Sequence, residues 1–148
     1  QVKQGATTIW EHWDGLKPDG TMWSADMNSF NHYAYGAIGE WMYRVMGGIE
    51  ADESAPGFQH VIYAPKIGVD LKFMDTTYHS VYGENRLKWQ VEEGCVTMFV
   101  QVPANTTARI QLDEAKEVLN ADGLAFEKKP GYMEAEARSG EYTIRYRQ

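Results

Sequence analysis

The feature that most constrains this chain is an apolar alternation that survives a turn. Leu87, Trp89 and Val91 alternate with Lys88 and Gln90, and after Glu93-Gly94 the alternation resumes at Val96, Met98, Val100 and Val102. A period of two sends successive side chains to opposite faces of an extended backbone, so residues 86–92 and 96–102 are expected to pair as a half-buried hairpin. Similar stretches occur at 58–64, 69–78, 106–112, 132–138 and 142–147, and Ser139-Gly140 reads as a second hairpin turn. About seven short strands with turn signals at this spacing predict a mainly β fold, an antiparallel β-sandwich.

Upstream the period is different. Phe30, Tyr33, Ala34, Ala37, Ile38, Trp41, Met42 and Val45 recur at the spacing of one helix face, which predicts a single helix over 29–46. Asn28 or Ser29 would cap it, Glu40 and Arg44 would pair one turn apart, and Gly47-Gly48 would supply a left-handed stop. The opposite face carries Asn31, His32, Tyr35, Gly36, Gly39 and Tyr43 in place of lysines and glutamates. Because each interior glycine costs about 1 kcal/mol relative to alanine, close packing against another helix is the expected compensation. The helix is therefore expected to be buried on both sides.

Residues 50–57, Glu-Ala-Asp-Glu-Ser-Ala-Pro-Gly, are acidic, small and closed by Pro-Gly, which is linker chemistry. They divide the chain into 1–49 and 58–148. A length of 148 residues, 43% hydrophobic and 13% aromatic, gives a folded protein with room for one domain plus an element of another. The formal charge of −7 and the lack of a basic run argue against nucleic acid and anionic membranes. No apolar stretch approaches the roughly 20 residues of a membrane-spanning helix. A lone cysteine, Cys95, excludes an internal disulfide and a multi-cysteine zinc site, and reads as a small hydrophobe beside a turn. The opening Gln-Val-Lys-Gln lacks both an initiator methionine and a signal-like apolar region, so processing or truncation is implied and the compartment stays open.

Residues that could carry chemistry concentrate in 5–15, Gly-Ala-Thr-Thr-Ile-Trp-Glu-His-Trp-Asp-Gly. The segment is too irregular in period for a helix or a simple strand, and sites are often built on such loops. Trp10 and Trp13 offer faces for the apolar side of a sugar ring, while Glu11, His12 and Asp14 bind hydroxyls and move protons. Types and spacing alone favour a structural loop, which a Trp-rich segment is more often than a catalytic one, with Glu11 as a satisfied buried carboxylate. A metal site from His12, Asp14 and His32 lacks the supporting helical His-x-x-x-His pair. His60 and His79 fall in strands, where surface or hydrogen-bonded roles are the default.

Residues 5–15 together with Met-Asn-Ser-Phe-Asn-His-Tyr-Ala-Tyr-Gly-Ala-Ile-Gly-Glu-Trp-Met-Tyr at 27–43 resemble the last catalytic-domain motifs of bacterial α-L-rhamnosidases, family 78 of the glycoside hydrolases. Pro-Gly-Phe-Gln-His-Val-Ile-Tyr-Ala-Pro at 56–65 and Val-Pro-Ala-Asn-Thr-Thr-Ala at 102–108 are similar to the C-terminal β-domain of the same proteins, and the resemblance fades over 114–131. The resemblance implies that residues 1–49 end an (α/α)6 catalytic barrel and that a β-sandwich follows. It implies an inverting hydrolase that needs no cofactor, with Glu11 as the general base and His32 lining the sugar subsite. Trp10 and Trp13 would flank that pocket. The family's general acid lies far upstream of these motifs, which implies a missing upstream catalytic domain and a chain inactive alone.

Two other readings compete. One is another glycosidase on the same helical barrel with a different terminal sugar, and assays of the whole gene product on nitrophenyl glycosides separate it. The other is a carbohydrate-binding or structural module formed by residues 57–148. Titration with rhamnose-containing oligosaccharides tests that reading, and no binding by this part is expected, because the site-like residues all precede it.

Overall fold

The computed structural model describes residues 1–148 except Val69. It divides into two compact units, Gln1–Glu40 and Trp41–Gln148.

Among the described residues, the second unit is built on eight strands: β1 (Ile49–Ala51), β2 (His60–Tyr63), β3 (Phe73–Ser80), β4 (Gly83–Glu92), β5 (Cys95–Asp113), β6 (Glu117–Asn120), β7 (Glu127–Lys129) and β8 (Tyr132–Arg147). The hairpin of β4 and β5 turns at Glu93 (φ 50°) and Gly94 (φ 76°). Two positive φ values in a two-residue loop match the right-handed twist of the flanking strands.

Two pairs of expected strands are each one long strand. β5 and β8 pair antiparallel along their lengths, with one irregularity between Val102 and Thr107. Pro103 has no N–H for the ladder, Asn105 sits at φ 62°, and Thr106 Oγ1 donates to Pro103 O at 2.7 Å. The chain kinks there without leaving its partner. Ser139-Gly140 is accordingly not a hairpin turn: Gly140 lies within β8 opposite Val102 at φ 151°, a conformation suited to glycine.

The kink organises the core. Before it, β5 lies between β4 and the second half of β8, with β3 and β6 outside. After it, β5 lies between β2 and the first half of β8, with β1 and β7 outside. Leu87, Trp89, Met98 and Ile144 from the first half share one buried cluster with Val61, Tyr63, Ile110 and Leu112 from the second. Tyr63 ties the halves by donating to Gln101 O at 2.7 Å and approaching Asn85 Oδ1 at 3.1 Å. Burial raises the pKa of this phenol above its ordinary value. The fold is thus the expected mainly β domain made from one folded sheet. Among the described residues one pair is parallel, β2 on β5, and it is the departure from antiparallel pairing.

β1, β6 and β7 were not apparent as strands in the sequence. They are three or four residues long and each carries a glutamate, with two lysines besides in β7; short, charged edge strands resist further pairing. β1 takes Glu50 and Ala51 from the stretch expected to be linker. The strand expected over 69–78 begins at Phe73, and its first residue, Val69, lies outside the described residues.

The helical run is shorter than expected. It comprises a 3-10 turn (Tyr33–Gly36), the α-helix α1 (Ala37–Trp41) and a π-helical turn (Met42–Met46). Residues 29–32 do not join it, because Glu11 N donates to Ser29 O at 2.8 Å and His32 N donates to Ile9 O at 2.7 Å. Asn28 caps nothing; its amide donates to Gly15 O at 3.1 Å. Arg44 pairs with Glu50. At the end, Gly48 alone is left-handed (φ 67°), and Trp89 Nε1 donates to Met46 O at 3.0 Å. The expected burial does not occur: no residue of the run is buried, with Tyr33 89% and Ile38 57% exposed. A Cβ at Gly36 or Gly39 would touch nothing within 4 Å. Among the described residues, nothing supplies the helix expected to pack there.

Candidate active site

In the first unit, residues 9–11 and 29–32 run side by side in opposite directions, joined by the two backbone bonds just given. Thr8 adds a third tie, its hydroxyl donating to Phe30 O. Trp10 is buried at 5% exposure and meets Phe30 edge-on, with ring centroids 5.0 Å apart. Gly15 lets this packing close, since a Cβ there would lie 3.3 Å from both rings. Gln1 secures the loop from outside by donating to Trp10 O and His12 O at 3.3 Å each.

Glu11 is half-buried and follows the inward Trp10. Its carbonyl accepts a hydrogen bond from Tyr35 Oη at 3.2 Å. The Tyr35 ring also lies 5.6 Å from that of His32, which is itself half-buried. Glu11 and His32, far apart in sequence, are thereby held on adjoining backbones with Tyr35 touching both residues. The helix-face reading had included Tyr35 without giving it a site role. His32 is extended and lies just before the helical run, so helical spacing does not record this contact.

The tryptophans behave differently. Trp10 serves the interior of the loop, whereas Trp13 is 86% exposed and lines a shallow recess with Gln1, Val2 and Lys3. His12 stacks on Trp23 at 4.2 Å, and its Nε2 is buried without a partner among the described residues. Asp14 is exposed. No group of three or more His, Cys, Asp or Glu side chains gathers as a metal cage among the described residues. The arrangement brings together the backbones that carry a carboxylate, Glu11, and an imidazole, His32, with the Tyr35 ring against the imidazole; these are groups able to bind hydroxyls and accept a proton.

Residues 48–127 match the bacterial alpha-L-rhamnosidase C-terminal domain, and residues 1–46 match the bacterial alpha-L-rhamnosidase 6 hairpin glycosidase domain. The chain belongs to the bacterial α-L-rhamnosidase family. Among similar proteins, an α-L-rhamnosidase of Streptomyces avermitilis is 35% identical over 143 residues, covering 95% of this chain and 14% of the relative. Another, from Formosa agariphila, is 38% identical over 126 residues, covering 84% and 13%. The crystal structure of the Streptomyces avermitilis α-L-rhamnosidase complexed with L-rhamnose superposes with a TM-score of 0.81 at 35% identity, covering 97% of this chain and 14% of that one. This member of the family therefore spans about one-seventh of the length of the relatives it matches.

Proposed function

We propose that this chain is the C-terminal part of an inverting α-L-rhamnosidase, with Glu11 as its general base and His32 as a substrate-positioning residue. The observation that carries the reading is the pairing of residues 9–11 with 29–32, which sets the two motif-matched residues on adjoining backbones bridged by Tyr35. Family membership supports the reaction class, and the L-rhamnose held by a solved relative supports the terminal sugar.

In the proposed reaction, Glu11 accepts a proton from water as the water oxygen attacks the anomeric carbon. The bond to the aglycone oxygen breaks on the opposite face, and a second carboxyl group protonates that oxygen. Inversion requires the two carboxyl groups to stand roughly 6.5–9.5 Å apart, leaving room for the water. The acid is assigned to the part of the protein outside these residues. Residues 1–49 would then close an (α/α)6 catalytic barrel and residues 58–148 would form the β-domain that follows it in the chain. Trp13 would contribute an aromatic face at the rim of the pocket, and Trp10 would hold the loop from beneath.

The stereochemistry of the product tests this. Proton NMR of an aryl α-L-rhamnoside treated with the whole protein is expected to show β-L-rhamnose first, with the 148-residue chain inactive by itself. Release of the α anomer first would overturn the inverting assignment.

A further inference from the structure

The outer face of β4 and β5 holds a second site-like feature, formed wholly within the second unit. Leu87, Trp89, Met98 and Val100 point into the core, so their neighbours point out. The register sets Lys88 opposite Phe99 and Gln90 opposite Thr97, with Asp75 of β3 beside Lys88 and Phe73 beside Gln90. Arg86, Lys88, Gln90, Thr97 and Phe99 line an open recess of about 400 Å³, within the range of small-ligand sites.

Three properties mark this recess as more than a solvated sheet face. Phe99 lies half-buried in its lining, and Phe73 on the same face is 68% exposed, although water-facing strand positions have no need of phenylalanine. Arg86 is fixed by a two-pronged bond to Asp75, Nε to Oδ1 at 2.9 Å and Nη2 to Oδ2 at 2.7 Å. That fork offers its remaining donors and lone pairs in a set geometry. Lys88 and Gln90 are exposed beside it, with hydrogen-bonding capacity directed to solvent.

An aromatic face flanked by a rigid charged fork, an amide, a hydroxyl and an ammonium fits a pyranose ring: apolar C–H groups lie on the phenyl ring while vicinal hydroxyls bridge the polar groups. The protein's net charge of −7 disfavours polyanions such as nucleic acid. We propose that this recess is an auxiliary carbohydrate-binding site that takes one or two sugar rings of a rhamnose-containing glycan. Holding a polymer here raises its local concentration for the whole protein. The binding does not depend on Glu11, and it departs from the sequence-based expectation that residues 57–148 bind no sugar.

The test is calorimetric titration of the 148-residue chain with a neutral rhamnose-containing tetrasaccharide. Saturable binding with a dissociation constant on the order of 0.1–1 mM is expected. The paired substitutions Lys88→Ala and Gln90→Ala, both at exposed positions, are expected to weaken it at least about tenfold with thermal unfolding unchanged. Trp13→Ala is expected to leave it intact. Absence of saturation in the wild-type chain, or binding that is lost in Trp13→Ala and kept in the β4 double variant, would overturn the proposal. Either result would leave the assignment of Glu11 to be judged by kinetics.

Discussion

Replacing Gly48 by alanine isolates the junction that ends the helical run. Gly48 sits at φ 67°, a region that costs a residue bearing Cβ about 1–2 kcal/mol. An added Cβ would also fall 2.3 Å from Pro65 N, 2.5 Å from Pro65 Cα and 2.8 Å from Ala64 C. All three atoms are backbone, so no rotamer change relieves the overlap. The neighbouring strand is fixed by Ala64 N donating to Gly48 O at 2.8 Å. Overpacking of this kind adds roughly 1–3 kcal/mol, for a total of about 2–5 kcal/mol against the 5–15 kcal/mol typical of a whole domain. Gly57→Ala is the matched control, since Gly57 has φ 81° and its added Cβ would meet nothing within 4 Å. Urea unfolding followed by far-ultraviolet circular dichroism is expected to place Gly48→Ala at least about 1 kcal/mol below Gly57→Ala. Equal destabilisation by the two substitutions would refute the close approach.

Three further outcomes follow from the side chains. The Arg86 hydrogen bonds hold the Asp75 carboxyl below its ordinary pKa of 3.8, so the pair stabilises the fold above that pH and loses this contribution as pH falls through the depressed value. Asp75→Asn is expected to cost at most about 1 kcal/mol at neutral pH, because the pair is partly exposed, and its unfolding curve should converge on the wild type in acid; a cost that is the same at both pH values contradicts this. Tyr35→Phe in the whole protein should lower kcat several-fold with KM nearly unchanged, because the hydroxyl holds the Glu11 backbone; full activity would remove Tyr35 from the site. His32→Ala should reduce kcat/KM by about 10- to 100-fold, equivalent to roughly 1–3 kcal/mol, and steady-state kinetics on an aryl rhamnoside decides it.

The sequence made the β hairpin around Glu93-Gly94 and the glycine stop of the helix legible, because alternation and punctuation are local signals. It concealed the continuity of β5 and β8. Pro103 and Gly140 look like strand breakers in sequence, yet the two long strands kink together and keep their pairing. The helix start was misplaced because residues 29–32 spend backbone groups on residues 9–11, a contact between segments roughly twenty residues apart that periodicity does not record. In the candidate site, Glu11 and His32 stood out through motif resemblance, whereas the inward turn of Trp10 and the reach of Tyr35 to the Glu11 carbonyl depend on how the loop packs. The recess on β4 and β5 was invisible for a related reason: its lining is assembled from outward residues that register alone brings together.

The most direct measurement on the central claim is the turnover of the whole protein with Glu11 replaced by glutamine, which keeps the size of the side chain and removes its basicity. The account predicts that kcat on an aryl α-L-rhamnoside falls by roughly 10²–10⁴ while KM changes little. A kcat for Glu11→Gln equal to that of the wild type would contradict it.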